Sequence, residues 1–355
     1  MKKILINFLY WGSKTSGIYR AGFNIIKEIV NICEEKLYCI TNYYDEINFD
    51  NIEVIPMDFK TKTKVPKALE AQIYLLETIN KLKPDLIFNP FHFGLFFKKV
   101  PQISIIYDLI SLTVPIGRID TYIYHKFLLQ KLLNRCKFVI TPSNTTKNDI
   151  IKIFDLKEDK IKVVYLGIDK EKFKPLNLPK ENFYLIVNAT FPYKNVDYVI
   201  KIWKKFDIKE KLIIVGYHPK FIKYHNYLKD LAKKFNLEDR IIFYKNVSDE
   251  ELIELYNKAL ALISPSLKEG FGLPPLEALS CKIPVILSNI PVYREIYNEI
   301  GIFFDLNNEE SFLSALEKLK NLNKDEFEEK RNEFIKKIDW EKSAEEIYKI
   351  IKDAL

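Results

Sequence analysis

Short apolar runs alternate with amphipathic segments along almost the whole chain. The first half contains seven such runs, which read KILINFLY, LYCITN, IEVIPM, DLIFNP, QISIIYD, KFVITPS and IKVVYLG. Between several of them lie segments with apolar residues at three- and four-residue spacing, such as residues 19–32 and PKALEAQIYLLETINKL. Continuous apolar strands separated by amphipathic helices are typical of βαβ units. The first half is therefore predicted to form a parallel sheet with helices on both faces.

The pattern then restarts after a Pro- and Lys-rich stretch without periodicity, residues 166–182. The new apolar runs read FYLIVN, KLIIVG, RIIFYKN, ALALISP, IPVILSN and GIFFD, and they again alternate with helical patterns. A chain of 355 residues suits two domains. We predict an α/β protein of two doubly wound, Rossmann-like domains, residues 1–168 and 169–339, that face a cleft. A final helix, residues 340–355, is expected to pack back on the first domain.

Composition excludes several classes of protein. The hydrophobic fraction of 48% and the charged fraction of 29% are those of a globular chain. The four cysteines form no C-x-x-C pair, so buried thiols in a reduced compartment are favoured over structural zinc. The apolar start resembles a signal peptide, but it fits a first parallel strand better because no small-residue cleavage site follows. No run approaches the roughly 18 apolar residues of a membrane span. We expect a cytoplasmic protein.

Positive charge is concentrated in the first half. Residues 1–170 hold 25 Lys and Arg against 18 Asp and Glu, whereas the remainder holds 30 of each. Clusters such as KTKTKVPK and FFKKV predict contact with an acidic acceptor or with the inner face of the cell membrane, unless they form a solvated basic face. A nucleic-acid role is disfavoured because no recognised binding motif accompanies the charge.

Candidate functional residues follow predicted strands, because open parallel sheets bind ligands at the carboxyl ends of their strands. Gly17 lies in SKTSGIYR between the first strand and the first helix, where free N–H groups favour an anion. Lys194 lies in ATFPYKNVDYVI beside a helix start, where its ammonium can pair with a phosphate. Asp108 follows the strand in ISIIYDLISL. The simpler alternatives are a turn glycine, a surface lysine and a capping carboxylate.

The stretch SPSLKEGFGLPPLEALSCKIPVILS is the most informative in the chain. Its glycines free backbone N–H groups for a phosphate or sugar, and Pro274-Pro275 suit the first turn of a helix. Glu277 can accept two hydrogen bonds from a vicinal diol, and Glu269 can accept from hydroxyls of a second ring. The alternative for Glu277 is a favourable interaction with the helix dipole.

Together these segments resemble the retaining glycosyltransferases of family 4, which have the two-domain GT-B fold and include mannosyltransferases. EGFGLPPLEA is similar to the family's E-x7-E motif, YKNVDYVIKIW to its K-G/N-x-D segment, and SGIYR to its first glycine loop. The stretch from TPSNTTKND to DKEKFKP resembles the end of the first domain, and SDEELIELYNKALALISPS the helix and strand before the E-x7-E loop. The resemblance covers nearly the whole chain.

The resemblance implies transfer of a hexose from a nucleotide diphosphate sugar, with GDP-mannose first and UDP-sugars next, to a glycan or lipid-linked acceptor. Such an enzyme would serve surface polysaccharide or glycoconjugate synthesis. No D-x-D pair occurs in the chain, so the expectation is a metal-independent enzyme without a cofactor. A lysine and helix N-termini would then supply the charge stabilisation. Domain closure would exclude water from the donor.

The same resemblance implies a role for each candidate. Glu277 would bind the ribose, Glu269 the donor sugar and Lys194 the leaving phosphates. The implied catalytic residues are Lys194, Glu269 and Asp108. The implied donor-binding residues are Gly17, Lys194, Asn246, Val247, Glu269, Gly270, Phe271, Gly272, Leu273 and Glu277, with Asn246 and Val247 near the base. Tyr107 and Asp108 would contact the acceptor or the sugar.

Two departures separate this chain from the family pattern. The family usually has an Arg a few residues before this lysine, but residues 188–193 contain no basic residue, and Tyr193 stands where close relatives often carry Arg. The family's His-Asp pair reads Tyr107-Asp108 here. These departures keep open a protein of the same fold that binds a nucleotide sugar without transfer. Among enzymes, a sugar-nucleotide epimerase or phosphorylase of the same fold, which acts without a second sugar acceptor, is the other alternative.

Overall fold

A computed structural model describes residues 1–10, 12, 14, 16–59, 67–97, 100–114, 119–245 and 247–355, with the backbone alone at residues 119 and 120. The described residues form two compact units. The first unit holds those in Met1–Thr113, Arg118–Gly167 and Asp339–Leu355, and the second those in Val114–Gly117 and Ile168–Ile338.

The first unit is built on a parallel sheet of seven strands in the order β3-β2-β1-β4-β5-β6-β7. The strands are β1 (Lys3–Phe8), β2 (Lys36–Thr41), β3 (Ile52–Pro56), β4 (Leu86–Asn89), β5 (Gln102–Ile105), β6 (Phe138–Thr141) and β7 (Ile161–Val163). The helices are α1 (Gly17–Ile32), α2 (Lys67–Leu82), α3 (Ile110–Thr113), α4 (Ile119–Ile123), α5 (Gln130–Arg135) and α6 (Asn144–Phe154), with a π-helical segment, Tyr124–Leu129, joining α4 to α5 and a 3₁₀ turn at Glu158–Lys160.

The second unit is built on a parallel sheet of six strands in the order β10-β9-β8-β11-β12-β13. The strands are β8 (Phe183–Val187), β9 (Lys211–Val215), β10 (Ile241–Tyr244), β11 (Ala261–Ser264), β12 (Val285–Ser288) and β13 (Ile302–Phe304). The helices are α7 (Val196–Lys205), α8 (Ile222–Lys234), α9 (Asp249–Lys258), α10 (Leu273–Ser280), α11 (Pro291–Tyr297), α12 (Glu309–Lys320) and α13 (Lys324–Lys337), with 3₁₀ turns at Pro192–Lys194 and Pro219–Phe221.

The prediction of two doubly wound parallel sheets is confirmed, since each apolar run contains a strand of one of the two sheets. The central strands are apolar on both sides because helices cover both faces of a parallel sheet. Ile4 of β1, for example, pairs with Leu37 of β2 and Leu86 of β4. Some runs extend past the strand: QISIIYD continues beyond Ile105, where the chain leaves the sheet to form the loop before α3.

The final helix, α14 (Trp340–Ala354), belongs to the first unit and packs against α1. Its stripe of Trp340, Ile347 and Ile351 is buried, and the Tyr348 hydroxyl donates to the Glu35 carboxylate at 2.9 Å. A Cβ on Gly167 would lie 2.2 Å from the backbone nitrogen of Trp340, so the start of α14 lies directly on this glycine.

The segment after Gly167 is packed on the second unit. Phe173 is buried, and the Ser280 hydroxyl donates to its carbonyl oxygen. Asn257 of α9 accepts from the Leu176 N–H at 2.7 Å and donates to the Lys174 carbonyl at 3.1 Å. The aperiodic stretch therefore lacks regular structure but has fixed contacts.

Each sheet has one point at which the strand order reverses: between β1 and β4 in the first unit, and between β8 and β11 in the second. Loops that leave the sheet there diverge, which opens a crevice at the carboxyl ends of the strands. Within the described part of the chain, no helix is long and apolar enough to cross a membrane. The four cysteines are free thiols; three are buried and Cys33 is half-buried.

Candidate active site

Lys194 lies in the loop that leaves β8 at the reversal point of the second sheet. A 3₁₀ turn ends at Lys194, and Asn195 takes a left-handed conformation, φ 55°, immediately before α7. The lysine is only 6% exposed, and its Nζ atom lies 2.6 Å from Glu269 Oε1. Lys194 is therefore not a surface lysine. The centroid of the Tyr193 ring lies 5.4 Å from the Lys194 ammonium.

Glu269 lies in the loop that leaves β11, the neighbour of β8. Its Oε1 atom accepts hydrogen bonds from Lys194 Nζ and Ser266 Oγ, both at 2.6 Å, and from the Tyr293 hydroxyl at 3.4 Å. Among the described residues, no hydrogen-bond donor contacts Oε2. The carboxylate is thus held through one oxygen, which leaves the other available to a hydroxyl group of a ligand.

The loop from Glu269 to α10 brings backbone N–H groups to the same place. Gly270 and Phe271 are buried, and Gly272 has φ +95°, a conformation that favours glycine. A Cβ on Gly272 would lie 2.6 Å from Tyr293 Cε1, so the glycine is needed for space as well. Leu273 begins α10, with Pro274-Pro275 in its first turn. The N–H groups at this helix start favour an anion.

Glu277 is the fifth residue of α10 and is 3% exposed. Its Oε2 atom accepts from the Tyr256 hydroxyl at 2.7 Å. The dipole interpretation is weakened because dipole effects fall off within the first turn of a helix, and Glu277 lies beyond it. Both glutamates of the E-x7-E stretch are therefore buried on one short loop and helix.

Two tyrosines of α11 support this loop. The Tyr293 hydroxyl lies 2.6 Å from Ser264 Oγ, and the Tyr297 hydroxyl donates to the Gly272 carbonyl at 2.5 Å. Burial raises the pKa of both phenols well above the usual value, and the nearby Glu269 carboxylate raises it further. Both phenols therefore stay protonated at neutral pH and act as donors.

The two residues predicted near the base have different outcomes. Asn246 lies outside the described residues. Val247 is half-buried and directly precedes Ser248, whose side chain caps α9 by accepting from the Glu251 N–H. Its contact with a base stays a prediction.

In the first unit, Gly17 is the first residue of α1, at the carboxyl end of β1. Ser16 caps the helix by accepting from the Tyr19 N–H at 3.2 Å, and the Tyr10 hydroxyl lies 2.8 Å from Ser16 Oγ. Ser13 and Thr15 of the quoted loop lie outside the described residues. The approach of Gly17 to a donor stays a prediction.

Tyr107 and Asp108 follow β5 in the first unit. Tyr107 is 6% exposed, and its hydroxyl has no hydrogen-bond partner among the residues that the structure describes. Burial, with a smaller effect of Tyr10, raises the pKa of Tyr107 far above its usual range. Asp108 Oδ1 accepts from the Ile110 N–H at 3.0 Å, so this carboxylate does cap α3. Whether either side chain also meets an acceptor or sugar stays a prediction.

Sequence reasoning did not single out three residues that contact the glutamates: Ser266, Tyr256 and Tyr293. Ser266 lies three residues before Glu269, a spacing at which a hydroxyl reaches its neighbour within one turn, so this signal was available in the sequence. Tyr256 and Tyr293 lie at least 21 residues from the carboxylates that they contact. Only the tertiary fold brings them there.

No group of three or more His, Cys, Asp or Glu side chains that could hold a metal ion occurs in the part of the chain covered by the structure.

The sequence matches two protein families. Residues 167–352, about half of the chain, match the family described as "Glycosyl transferases group 1". Residues 37–172 match "Glycosyltransferase Family 4".

Several curated proteins are similar. The O-antigen chain mannosyltransferase RfbU of Salmonella typhimurium is 34% identical over 200 residues, which cover 56% of this chain and 56% of that protein. The chain thus matches about half the length of this relative. The O-antigen chain mannosyltransferase B of Escherichia coli is 24% identical over 325 residues, covering 82% of this chain and 84% of that protein.

Solved structures share the fold over nearly the whole chain. HepE of Anabaena, in complex with UDP and glucose, has a TM-score of 0.78 at 16% identity. The match covers 99% of this chain and 100% of the HepE chain. A glycosyltransferase of Rickettsia africae has a TM-score of 0.74 at 19% identity and covers 99% and 98% of the two chains. The fold is therefore GT-B.

Proposed function

Because the chain belongs to the glycosyl transferases group 1 family, we propose that it is a retaining hexosyltransferase that uses a nucleotide diphosphate sugar. The preferred donor is GDP-mannose, with a UDP-sugar next, since similar proteins are named O-antigen chain mannosyltransferases. The acceptor is a glycan or a lipid-linked glycan of a surface polysaccharide. The observation that carries this proposal is a set of three buried charged residues: Lys194 in the loop after β8, Glu269 in the loop after β11, and Glu277 on α10.

In this proposal, the two carboxylates bind two different parts of the donor. Glu277 accepts hydrogen bonds from the ribose hydroxyls, and Glu269 accepts from a hydroxyl of the hexose through Oε2, the oxygen without a donor among the described residues. Hydrogen bonds to ionised acceptors are stronger than those between neutral groups. Two such contacts would fix the sugar relative to the nucleotide.

The diphosphate is the leaving group and gains negative charge in the transition state. Lys194 and the N–H groups of Gly270, Phe271 and Gly272 would stabilise this charge, which a buried site does more effectively than water. The sequence has no D-x-D pair to hold a metal-bound diphosphate, so we propose metal-independent transfer.

Retention follows from attack on the same face that the leaving group departs from. The acceptor oxygen forms a bond to the anomeric carbon as the bond between that carbon and the phosphate oxygen breaks. The proton of the acceptor hydroxyl passes to the departing phosphate. No covalent intermediate with the protein is needed, so the chain requires no nucleophilic side chain.

The acceptor would bind mainly through the first unit, where Tyr107 and Asp108 follow β5.

We also propose that this unit contacts an anionic membrane surface peripherally. Phe97, Ile123 and Phe127 are 68%, 49% and 59% exposed, and Lys126 Nζ lies 5.6 Å from the Phe127 ring centroid. Exposed aromatic and basic side chains suit a lipid headgroup layer. Loss of sedimentation with phosphatidylglycerol vesicles in Phe97→Ser/Phe127→Ser would support this contact, and unchanged sedimentation would refute it.

A donor screen tests the proposed function. Purified protein is incubated with GDP-, UDP- and ADP-sugars in the presence of a chelator, and thermal stability and release of the nucleoside diphosphate are measured. Stabilisation by one donor, with slow release of its diphosphate, is expected. Stabilisation without release, even when oligosaccharide acceptors are added, would favour a protein that binds the donor without transfer. No stabilisation by any donor would contradict the proposal.

A further inference from the structure

Each glutamate of the proposed donor site accepts a hydrogen bond from a buried hydroxyl group of the second unit. Ser266 donates to Glu269 Oε1 at 2.6 Å, and Tyr256 donates to Glu277 Oε2 at 2.7 Å. Both hydroxyl-bearing residues are fully buried, at 0% exposure. Because a carboxylate can rotate about its terminal bond, a fixed donor on one oxygen determines where the other oxygen points.

From this arrangement we propose that Ser266 and Tyr256 are positioning residues with separate duties. Ser266 orients Glu269 for the hexose, and Tyr256 orients Glu277 for the ribose. This inference rests on the proposed function, because it assigns the two residues to parts of one donor.

Ser266 is itself held in place on both sides. Its carbonyl oxygen accepts from the Ser288 hydroxyl at 2.6 Å, which ties the loop after β11 to the end of β12. The next residue, Leu267, donates its N–H to the Tyr193 carbonyl at 2.8 Å, which ties the same loop to the one that carries Lys194. The Ser266 hydroxyl therefore has little freedom to follow a moving carboxylate, and instead fixes it.

Lys194 contacts the same oxygen of Glu269, but it is a poor positioning group by itself. An ammonium on a four-carbon stem can follow the carboxylate through many rotamers, and the donor's diphosphate would compete for its charge. Ser266 is neutral and short, so its hydrogen bond to Glu269 persists when Lys194 turns to a phosphate. In this proposal, Lys194 neutralises the charge of the phosphate, and Ser266 orients the Glu269 carboxylate.

Tyr256 is held by the body of the second unit. It lies on α9, whose N-terminus is closed by a reciprocal hydrogen-bond pair between Ser248 and Glu251. Its ring packs edge-on against Phe173, with the centroids 6.1 Å apart. The hydroxyl thus reaches Glu277 from a capped and packed helix that is separate from α10 and from the loop between Glu269 and α10.

A purely structural role for these hydroxyls predicts a different result from a positioning role. Structural hydroxyls would lower thermal stability and affect all ligands alike. Positioning hydroxyls would affect the part of the donor that their carboxylate contacts. GDP contains the ribose but not the hexose, so GDP and GDP-mannose separate the two duties.

The test compares Ser266→Ala and Tyr256→Phe with two matched variants, Ser280→Ala and Tyr184→Phe. Ser280 is a buried serine of α10 that donates to the Phe173 carbonyl, and Tyr184 is a buried tyrosine of β8 that packs on Trp203. Calorimetry gives the Kd of GDP and of GDP-mannose for each, with UDP and UDP-glucose in their place if the donor screen selects uridine. Melting temperatures are measured in parallel.

We expect Ser266→Ala to raise the Kd of GDP-mannose about tenfold and that of GDP less than about twofold, because only the hexose contact is disturbed. Tyr256→Phe should raise the Kd of both ligands about tenfold. The two matched variants should change neither Kd. Equal loss of both ligands in Ser266→Ala, or unchanged affinities in both variants, would overturn the assignment.

Failure of the proposed function would look different, because the unaltered protein itself would bind no sugar nucleotide. The orienting role is then tested by a crystal structure of Ser266→Ala. A rotated Glu269 carboxylate would support it, and a carboxylate in the original orientation would overturn it.

Discussion

The candidate residues at the carboxyl edges of the two sheets differ in charge and in their protein partners. In the second unit the predicted charged residues, Lys194, Glu269 and Glu277, are buried and each has a protein partner. In the first unit the Tyr107 hydroxyl is buried without a partner among the described residues, and Asp108 caps α3. The proposed donor side thus has buried charges that are already paired, whereas the proposed acceptor side has a neutral hydroxyl and a carboxylate that caps a helix.

Physical chemistry explains this difference. A buried charge is destabilising unless it is paired and hydrogen-bonded, so a site for a diphosphate has to be assembled from several segments. A site for sugar hydroxyls can rely on neutral donors and acceptors, and a buried phenol without a partner costs less than an unpaired charge. In the proposed site, a ligand hydroxyl that contacted the phenol would offset that cost.

Lys194→Ala should have the largest effect on the donor side. Loss of one preorganised positive charge is expected to lower turnover by about 2–4 kcal/mol of transition-state stabilisation. It also leaves Glu269 without its counter-charge, which costs up to about 3–5 kcal/mol of unfolding free energy. Turnover per folded molecule is measured by diphosphate release. Lys201→Ala, on an exposed lysine of the same unit, is the control, and equal turnover in the two variants would remove Lys194 from the site.

Glu277→Gln should weaken donor binding by about 1.5–3 kcal/mol, because the ribose hydroxyls lose an ionised acceptor. Tyr256 can still donate to the amide oxygen, so the melting temperature should change little. The Kd of the nucleoside diphosphate is the measurement. Glu254→Gln, on an exposed face of α9, serves as the control. A donor affinity that stays the same would exclude the ribose role.

Gly272→Ala tests whether the backbone conformation of Gly272 fixes the loop between Glu269 and α10. A side chain at φ +95° that also lies 2.6 Å from Tyr293 is expected to cost about 1–3 kcal/mol of unfolding free energy. Chemical denaturation measures this cost. Ser280→Ala, on α10, is the control variant. Gly12→Ala is unsuitable, because a Cβ on Gly12 would clash with Tyr10. Full retention of stability would show that the loop adapts rather than being preformed.

Tyr107→Phe should have the smallest effect and should act on the acceptor side only. Its hydroxyl has no partner among the described residues, so removal leaves stability unchanged or slightly higher. We expect a several-fold increase in the acceptor KM, about 1 kcal/mol, with no change in donor affinity. A Tyr107→Phe variant with lower donor affinity and an unchanged acceptor KM would reverse the assignment of the two edges.

Much of the fold could be predicted from the sequence, because a doubly wound sheet has a strong local signature. Continuous apolar runs, such as the one that forms β8, alternate with helical stripes, and the aperiodic stretch before Phe183 separates the two patterns. The ends of the strands could not be predicted, because an apolar run that continues into a buried loop has the same sequence pattern as a longer strand. QISIIYD shows this: its strand ends at Ile105, although the apolar run continues.

The candidate site was partly predictable. Glycines, prolines and glutamates in one short segment indicated a ligand loop, and the structure buries both glutamates there. The buried state of Lys194 could not be predicted, because a lone lysine beside a helix is usually exposed. The hydrogen bond from Tyr256 to Glu277 could not be predicted either, because it depends on the packing of α9 beside α10. Charges that need partners from distant segments are visible only in the folded chain.

The decisive experiment on the proposed donor site is a crystal structure with bound donor. The ribose hydroxyls are expected within hydrogen-bond distance of Glu277, the hexose in contact with Glu269 Oε2, and the diphosphate beside Lys194 and the start of α10. A donor bound elsewhere, or one whose diphosphate lies away from Lys194 and α10, would contradict the proposed site.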